Sequence, residues 1–393
     1  MFLCSNVMLW INFLHIYQPP DSETYVIKEA TEKSYARIVS ALEKNPVAKL
    51  TMNITGCLIE RWQELHYFEL IERIKKLVIA GQIELTGSAM YHCLLPLTPK
   101  QEAARQIKEN TRILKSVFGD ELQLRGFFMP EMAYSAEAAK IVKNSGFEWL
   151  ILDEICHAGR LGEVDFSKVY RDKASGLKII FRSRKYSSCY VPKIINKKYP
   201  FKDLLISATD GELYGLHYRD KGGELEKSLG NPNVQTENIS TFIDSHRPYY
   251  VVELVKGNWE ATESEIQSGN SYALWFNNNN EVHLQLWRFA EMIIALVEKY
   301  RLDRNRKWMH YYLSRGLASC TFWWASAKDF SHLFGPTAWN PDVIERGVNN
   351  LIRAVRSIED KNSRAEKIKA EAECLQIKQL IWQKHWEEHW GGN

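Results

Sequence analysis

Closely spaced cysteine pairs are missing from this sequence. Its seven cysteines are dispersed over 393 residues, and no two of them stand in a CxxC arrangement. A dispersed and odd number of cysteines is typical of reduced thiols and argues against a disulfide framework or a zinc ribbon. We therefore predict a cytoplasmic protein.

Long apolar runs and an excess of one charge are missing as well. No stretch of about 18 uncharged apolar residues occurs, so the sequence predicts no membrane-spanning helix. The apolar N-terminus lacks the basic start and the cleavage site of a signal peptide and leads directly into His15 and Gln18, so we interpret it as a buried strand. The formal charge of +3 is too balanced for a nucleic-acid-binding surface.

The usual cofactor and nucleophile motifs are also absent. GxGxxG, GxxxxGK[ST] and GxSxG do not occur, which argues against dinucleotide, phosphate-loop and serine-nucleophile chemistry. His15, His92 and His217 form no HxH or HExxH pair, so contacts to sugar hydroxyls are favoured over zinc ligation. We predict neither a metal nor another cofactor.

Aromatic residues, in contrast, are abundant, with 13 Trp and 18 Tyr. Most belong in a core, but such a surplus also suits a site that stacks flat rings against sugars or bases. Trp259 stands between Asn258 and Glu260 in a loop-like segment and is our candidate for a sugar-stacking platform. Trp324 or its neighbour Trp323 is expected to reach the cleft, because adjacent residues cannot both face the same packed side.

Strand-like and helical runs alternate along most of the chain. VMLWINFLHI, VAKLTMNIT, QIELTGSAM, LQLRGFFM, FEWLILDE, KIIFRS and DLLISATD predict strands, with helical runs between most of them, including one long helix that ends at Gly81. Such βα units predict a largely parallel α/β sheet, either closed as a barrel or open and doubly wound. After about residue 285 the pattern becomes helical, so we expect a barrel over 1–285 and a helical C-terminal subdomain over 286–393.

Two apolar helix faces are predicted in the C-terminal part of the chain. One consists of Ile344, Leu351, Ile352, Val355 and Ile358, and the other of Leu375, Trp382 and Trp386, each at helical spacing. The segment 357–373 between them is charged on most faces and is expected to be a solvated helix or turn.

Polar residues follow the predicted strands at the end where barrel active sites are built. They come from five separate segments: His15 and Gln18, Glu84 with His92, Glu131, Asp153, and Asp210. His15 and Gln18 precede a Pro-Pro exit from the sheet. Glu84 lies between Ile83 and Leu85, and a carboxylate in apolar company needs either an ion-pair partner or a substrate.

Two carboxylates, Glu131 in PEMAYS and Asp210 in SATDGELYG, are the candidates for catalysis. Burial raises the pKa of one carboxyl while polar neighbours keep another ionised, and such a pair is what glycoside cleavage requires. On position alone, a structural role as a turn or helix cap is equally compatible with each of them. Glu212 competes with Asp210 for the acid role, but it follows an Asp-Gly turn and ranks below it.

The ordered set of these motifs resembles glycoside hydrolase family 57. HIYQPP is similar to the family's first region, GQIEL to the second, FFMPEMAY to the third, SATDGELYG to the fourth and, loosely, GNWE to the fifth. The resemblance implies an incomplete (β/α)7 barrel followed by helices. It also implies retaining chemistry on α-linked sugars, with Glu131 as the nucleophile and Asp210 as the general acid/base.

The resemblance further implies that several side chains line the substrate-binding site. These are His15, Gln18, Glu84 and His217, to which we add His92, Trp259 and Trp324 from their positions in the sequence. The first region departs from the family at Tyr17, where a second histidine is usual. The expected partner is an α-glucan or oligosaccharide, and an α-amylase-like hydrolase fits this short chain better than a branching enzyme.

Two other classes stay open at the level of sequence. A barrel that binds carbohydrate without cleaving it would also carry these motifs, because their presence does not prove their geometry. A metal-dependent relative, such as an α-mannosidase or a polysaccharide deacetylase, has a similar barrel. The sequence leaves the sugar, the linkage, the balance of hydrolysis and transfer, and the oligomeric state undetermined.

Overall fold

The computed structural model of the protein describes residues 7–197, 204–327 and 339–389. Ten strands lie in this part of the chain, and all but one pairing between them is parallel. The strands are Met8–Ile16 (β1), Leu50–Ile54 (β2), Ile83–Thr86 (β3), Gly126–Phe127 (β4), Trp149–Asp153 (β5), Tyr170–Asp172 (β6), Lys178–Arg182 (β7), Leu204–Asp210 (β8), Val234–Thr236 (β9) and Tyr250–Val252 (β10).

Seven of these strands surround one interior, in the order β8, β1, β2, β3, β4, β5, β7. The strands β8, β1, β2 and β3 belong to one sheet, and β4, β5 and β7 belong to a second. Gly87 joins the two sheets on one side through a parallel bridge to Phe127. On the other side the Ser183 N–H donates to the Ile206 carbonyl at 3.0 Å. This arrangement agrees with the predicted (β/α)7 barrel.

The interior of the barrel follows from the two-residue alternation of strands. In β1, Ile11 and Phe13 point inward, while Trp10 and Leu14 pack outward against helices. The strands β5, β7 and β8 show the same alternation, with an inner apolar cluster that includes Trp149, Ile151, Ile180, Ile206 and Ala208. The polar residues that continue this inward parity are therefore placed at the barrel mouth.

Helices cover the outside of the barrel and form the C-terminal part of the chain. They are Thr24–Ala30 (α1), Ala36–Glu43 (α2), Gly56–Glu64 (α3), Phe68–Ile79 (α4), Lys100–Phe118 (α5), Ala136–Asn144 (α6), Ile155–Ala158 (α7), Arg184–Ser187 (α8), Val191–Asn196 (α9), Glu224–Leu229 (α10), Ile239–Ser245 (α11), Glu263–Gln267 (α12), Glu281–Lys299 (α13), Arg306–Gly316 (α14), Ser319–Trp323 (α15), Pro341–Arg356 (α16) and Arg364–Lys384 (α17). None of the helices in the described ranges is long and apolar enough to cross a membrane.

The long helix predicted to end at Gly81 is wrong, because the chain breaks it into α3 and α4. His66 adopts a left-handed conformation with φ of 64°, which ends a helix because it turns the next amide out of register. The strand predicted over LQLRGFFM is also shorter than expected, since only Gly126 and Phe127 pair. A Cβ atom on Gly126 would lie 2.0 Å from the Trp149 ring, so glycine is required at this close approach.

The helices α13 to α17 pack against one side of the barrel. Asn340 caps α16 by accepting from the Val343 N–H, and Pro341 occupies its first position, where a missing N–H costs nothing. The predicted apolar face of α16 is buried, namely Ile344, Leu351, Ile352 and Val355 together with the following Ile358. These residues share one core with strand residues such as Leu150 and Leu152. The boundary at 285 and 286 lies within α13, and the division into two domains stays a prediction.

The apolar face predicted for α17 is wrong in part. Leu375 in α17 and Trp386 just after it are exposed, whereas Trp382 is half-buried and donates to Glu345 at 3.0 Å. The residues that α17 buries are Ala370, Cys374, Ile377 and Ile381. The segment 357–363 between α16 and α17 ends in a short 3₁₀ helix, Lys361–Ser363, so the charged stretch begins outside α17.

Short helix α11 closes the end of the barrel opposite the mouth. Its Ile239 and Phe242 enter the inner apolar cluster, and its first amides are bound by side chains of the barrel strands. The Ile239 N–H donates to Thr51 Oγ1 at 3.0 Å, and the Ser240 N–H donates to Glu84 Oε2 at 3.1 Å. Thr51 Oγ1 itself donates to Glu84 at 2.9 Å. Glu84 therefore caps α11 from the strand that faces it.

We expect Glu84→Ala to destabilise the fold by about 1–3 kcal/mol, because it leaves buried donors of Thr51 and Ser240 without an acceptor. Urea unfolding followed by circular dichroism measures this change. The matched control is Glu72→Ala on the exposed side of α4, which should stay within about 0.5 kcal/mol of the parent protein. Equal stability of the two variants would contradict the capping role.

Candidate active site

A layer of polar side chains closes the inner apolar cluster at the barrel mouth. It contains the inward residues at the carboxyl ends of five strands. His15 is the register neighbour of Asn53 on β2 and of Asp210 on β8, and Asp153 is the register neighbour of Arg182 on β7. Adjacent strands lie about 4.8 Å apart, so these side chains meet at one rim. The structure thus brings His15, Asp153 and Asp210 together at one rim, and their role as a functional site stays a prediction.

Glu131 lies beside this layer, just after β4, and both of its carboxylate oxygens are bound. The Ser319 hydroxyl donates to Oε1 at 2.8 Å, and the Trp259 indole N–H donates to Oε2 at 3.0 Å. The side chain is only 13% exposed. Burial raises the pKa of Glu131 to about 8; the Ser319 and Trp259 donors oppose this rise, while the charges of Asp210 and Glu260 add to it.

The backbone that carries Glu131 has an unusual conformation. Glu131 and Met132 have φ of 60° and 48°, in the left-handed region that side chains other than glycine rarely adopt. Pro130 precedes them, and the backbone N–H of Trp259 donates to the Glu131 carbonyl at 3.2 Å. Such local strain persists only where surrounding contacts fix it, and it is enriched at functional sites.

Ser319 connects Glu131 to His92. The Nδ1 atom of His92 lies 2.9 Å from the Ser319 hydroxyl and 3.6 Å from Glu131 Oε1. Because the hydroxyl gives its one proton to Glu131, it accepts from the Nδ1–H of His92. Burial, together with His15, lowers the pKa of His92 well below its usual value, so the ring is neutral and its Nε2 is an acceptor.

His15 is held in the same way as His92, by a hydrogen bond at Nδ1, and its ring stacks on the His92 ring. Its Nδ1 donates to Asn53 Oδ1 at 2.8 Å, and burial lowers its pKa to about 3 against the opposing effect of that hydrogen bond. The rings of His15 and His92 stack with centroids 4.8 Å apart. Both Nε2 atoms are buried and have no partner among the described residues. Two unpaired acceptors are thus held ready for hydroxyl donors.

Asp210 ends β8 next to His15 and keeps an exposed face toward solvent. Although that face is open, the protein around the carboxyl withdraws it from bulk water and raises its pKa to about 6. The nearby Arg182 opposes the shift, and the Glu260 charge adds to it. Asp210 is therefore a solvent-accessible carboxyl that titrates close to neutral pH.

Arg182 and Arg184 fix the loop that carries Trp259, and the sequence reasoning overlooked both. Asp153 binds Arg182 Nε at 2.7 Å and Arg184 Nε at 2.9 Å. Arg182 also donates to the carbonyls of Ala208 and Trp259. A signal existed for Arg182, because it continues the inward parity of Ile180 at the end of an apolar strand. Ser319 carried no such signal, since nothing around it in the sequence differs from a helix start.

Gln18 and Glu212 bind each other at the edge of the site. The Gln18 amide donates to Glu212 Oε1 at 2.6 Å, and the Tyr35 hydroxyl donates to the same oxygen. Glu212 is 7% exposed, and burial together with the Asp210 charge raises its pKa to about 8. This pair joins the loop after β1 to the loop after β8. Gln18 also lines the groove beside the site, and its predicted contact with substrate stays a prediction.

Two further predicted substrate residues lie apart from this cluster. Glu84 is the second residue of β3 and caps α11 at the closed end of the barrel, where Thr51 and Ser240 occupy its carboxylate. His217 is exposed on the loop after the 3₁₀ turn Gly211–Tyr214. Burial lowers its pKa, and Glu29 opposes this shift. The structure shows no contact of either side chain with Glu131 or Asp210 among the residues it describes.

Trp259 belongs to the site, but not as an open stacking platform. It is only 9% exposed, its ring lies edge-on to His15 at 6.0 Å, and Arg182 lies 5.2 Å from the ring centre. Its indole N–H is used by Glu131. Trp259 therefore positions the carboxylate, and its buried face leaves little surface for a sugar.

A groove of about 320 Å³ adjoins the site between the loop after β1 and the helical region. Its lining includes Gln18, Arg315, Cys320 and Trp324. Cys320 follows Ser319 directly and lies 3.5 Å from the Tyr17 hydroxyl, which places the groove next to Glu131. Of the two adjacent tryptophans, Trp324 is the one that lines it. Among the described residues no three His, Cys, Asp or Glu side chains are grouped as metal ligands.

We expect Ser319→Ala to raise the pKa of Glu131 by about one unit, because a hydrogen bond to the ionised carboxylate is lost. Carbon-13 NMR titration of labelled glutamate, with Glu131→Gln used for assignment, measures the shift. Ser363→Ala serves as the control. It removes a buried hydroxyl of the same helical region, which donates to the Asp360 backbone carbonyl. An unchanged Glu131 titration in Ser319→Ala would contradict the assigned contact.

Comparison with known proteins shows which family the chain is similar to. The model of glycosyl hydrolase family 57 matches residues 9–255. An α-amylase of Pyrococcus horikoshii is 30% identical over 176 residues, which are 44% of this chain and 27% of that relative. A 4-α-glucanotransferase of Thermococcus kodakarensis is 26% identical over 150 residues, or 37% of this chain and 22% of that relative. The chain thus matches about a quarter of the length of these relatives.

The fold is shared over a longer span than the sequence similarity. A GH57-type branching enzyme from Pyrococcus horikoshii superimposes with a TM-score of 0.70 and 16% identity, covering 95% of each chain. The α-amylase AmyC from Thermotoga maritima gives a TM-score of 0.68 at 13% identity and covers 95% of this chain and 97% of its own. These likenesses confirm the predicted fold class. Because the family match spans more than half of its length, the chain belongs to glycosyl hydrolase family 57.

Proposed function

We propose that this protein is a retaining glycoside hydrolase that acts on α-linked glucans or oligosaccharides, in the manner of an α-amylase. The observation that carries the proposal is the Glu131 carboxylate, held by Ser319 and Trp259 and close enough to Asp210 for the Asp210 charge to raise its pKa. The names of the relatives, an α-amylase and a 4-α-glucanotransferase, support α-glucan as the substrate class.

The proposed reaction has two steps at one sugar carbon. Glu131 attacks the anomeric carbon while Asp210 gives its proton to the glycosidic oxygen, so the bond to the leaving group breaks and a glycosyl ester of Glu131 forms. Asp210, now ionised, then takes a proton from water, and the resulting hydroxide displaces Glu131. Asp210 is protonated again, and the anomeric configuration is retained.

The surroundings of the two carboxyls support this division of roles. Glu131 is little exposed and accepts two hydrogen bonds, which hold its oxygens in place for attack. Asp210 has an open face, so water can reach it in the second step. Glu212, the competing acid of the sequence analysis, is buried against Gln18 and Tyr35, which favours Asp210.

Without substrate, Glu131 has a pKa of about 8 and Asp210 a pKa of about 6. When the pair carries one proton, Glu131 therefore holds it more often than Asp210 does. The reactive arrangement has the proton on Asp210. Positive charge that develops on the sugar stabilises ionised Glu131, and the donors Ser319 and Trp259 favour the same form. The site therefore reaches its reactive proton arrangement with substrate in place.

The stacked histidines and the adjacent groove fit a sugar chain. The unpaired Nε2 atoms of His15 and His92 would accept hydrogen bonds from hydroxyls of the attacked sugar. Trp324, at the groove beside Cys320, would contact the next sugars. Whether water or a second saccharide accepts the glycosyl group decides between hydrolysis and transfer, and we propose hydrolysis as the main outcome. The six described cysteines are free, which supports the proposed cytoplasmic location.

We expect Glu131→Gln to reduce kcat on α-1,4-glucan by about 10⁴-fold or more, because the nucleophile is lost, while thermal unfolding changes little. Azide, added as an external nucleophile with an activated aryl α-maltoside as substrate, distinguishes the nucleophile from the general acid/base. Glu131→Ala with azide should form the β-glycosyl azide, and Asp210→Ala with azide should form the α-glycosyl azide. NMR of the products measures both.

The opposite pattern of azide products would reverse the roles, and unchanged activity of Glu131→Gln would refute the assignment. Saccharide binding without turnover by the parent protein, at every pH tested, would favour the carbohydrate-binding alternative. Loss of activity in a chelator would favour the metal-dependent alternative. The parent protein, assayed in the same series, is the reference for each variant.

The pH dependence of kcat/KM follows from the same pair. Below about pH 6 both carboxyls are protonated and the nucleophile is missing, whereas above about pH 8 both are ionised and the acid is missing. We expect a bell-shaped profile with limbs near 6 and 8, which belong to the pair as a whole. Initial rates on a short aryl glycoside measure it, and a flat profile from pH 4 to 9 would contradict it.

A further inference from the structure

An aromatic surface lies on α14, beyond the groove and outside the catalytic cluster. It consists of Trp308, Tyr311 and Tyr312, which we call the aromatic strip. Trp308 is 47% exposed, an unusual position for a tryptophan, because a large ring gains most from burial. The rings of Trp308 and Tyr312 are one helical turn apart and lie within 29° of parallel, with centroids 6.0 Å apart. Trp308 is the exposed ring of the strip, and Tyr311 and Tyr312 beside it are half-buried.

The strip is held rigid by its neighbours. Tyr311 lies edge-on to Trp308 at 5.4 Å and to Tyr91 at 6.3 Å. The Arg315 guanidinium donates to the Tyr311 hydroxyl at 3.0 Å, and Asp21 binds the same guanidinium at 2.6 Å. A preorganised ring loses little conformational entropy when a ligand covers it.

Two stretches of chain lead from the strip to the candidate catalytic residues. On one, Tyr91 contacts Tyr311, and the next residue, His92, contacts Glu131. On the other, α14 runs from Trp308 to Arg315, about 10 Å along its axis, and Arg315 lines the groove that also contains Cys320 and Trp324. The strip and the groove therefore meet at Arg315, whose guanidinium lies 5.0 Å from the centre of the Tyr311 ring. The groove meets the Glu131 site at Cys320, which directly follows Ser319.

We propose that the aromatic strip is a remote subsite for an α-glucan chain whose reacting end lies at Glu131. This inference rests on the proposed function. Trp308 offers an exposed apolar ring for the C–H face of a pyranose unit, and the half-buried Tyr311 and Tyr312 extend this aromatic surface. A short substrate ends inside the groove and does not reach Trp308. A long substrate gains contact with the strip.

The test compares long and short substrates on the full chain. We expect Trp308→Ala to lower kcat/KM for amylose about tenfold, through KM, which corresponds to about 1.4 kcal/mol. The same variant should stay within about twofold of the parent protein on an aryl α-maltoside. Trp308→Phe, which keeps an aromatic ring, should restore most of the loss on amylose.

Phe68→Ala is the matched control, since Phe68 is a 53% exposed aromatic residue on α4, outside the strip. An equal loss on both substrates, no loss on amylose, or the same loss in Phe68→Ala would overturn the proposal. The proposal would also be overturned if light scattering showed that Trp308→Ala changes the oligomeric state while its activity does not depend on substrate length. In that case the strip would be a protein interface.

A binding measurement separates failure of this proposal from failure of the proposed function. Calorimetric titration of maltoheptaose into Glu131→Gln, and into the same variant with Trp308→Ala, needs no turnover. An affinity that is about tenfold weaker in the double variant supports the strip even if the parent protein cleaves no α-glucan tested. Equal affinities overturn the strip and leave the assignment of Glu131 untouched.

Discussion

The buried ion pair between Asp153 and Arg182 is the interaction on which the site depends. The strands β7 and β8 meet at a seam where one backbone hydrogen bond, from Ser183 to Ile206, joins them. Arg182 spans this seam, because its guanidinium binds Asp153 on β5 and the Ala208 carbonyl on β8. Its third contact, the Trp259 carbonyl, fixes the loop that binds Glu131. A buried charge left without its partner costs far more than an exposed one, so this geometry is strongly determined.

The helical region completes the site instead of only packing against it. Ser319, at the first turn of α15, supplies one of the two hydrogen bonds to Glu131, while its backbone N–H donates to the His92 carbonyl. The position of α15 depends in turn on α16, since Thr321 fills the space beside Gly347, where a Cβ would lie 2.2 Å from the threonine. Packing between helices distant from the barrel strands therefore sets the position of a hydroxyl at Glu131.

Much of the fold and part of the site could be predicted from the sequence. The alternation of apolar residues in β1, β5 and β8 was sufficient to place His15 and Asp210 at one rim, because strand parity fixes the side on which a residue points. Glu84 shows the limit of this reasoning. Its inward direction follows from parity, but its depth follows from where β3 begins, and strand boundaries are poorly defined by local sequence.

The partners of the side chains were the least predictable part. Trp259, expected to stack on sugar, is turned inward because Glu131 accepts its N–H, and this contact joins residues 128 positions apart. The Gln18 amide is engaged for a similar reason, since Glu212 needs a donor once it is buried. Such choices depend on which polar groups meet in three dimensions, and no spacing in the sequence encodes them.

Backbone strain at the mouth is a further consequence of these long-range contacts. Of the five non-glycine residues with positive φ in the described ranges, His92, Glu131 and Met132 lie together here. Each such residue costs about 1–2 kcal/mol, and the chain would relax if nothing opposed it. The Trp259 backbone N–H donates to the Glu131 carbonyl, and the Ser319 hydroxyl and the Trp259 indole N–H donate to the Glu131 carboxylate. The hydrogen bonds that hold the carboxylate oxygens thus also hold the backbone conformation, so loss of one contact should displace Glu131 as well as change its pKa.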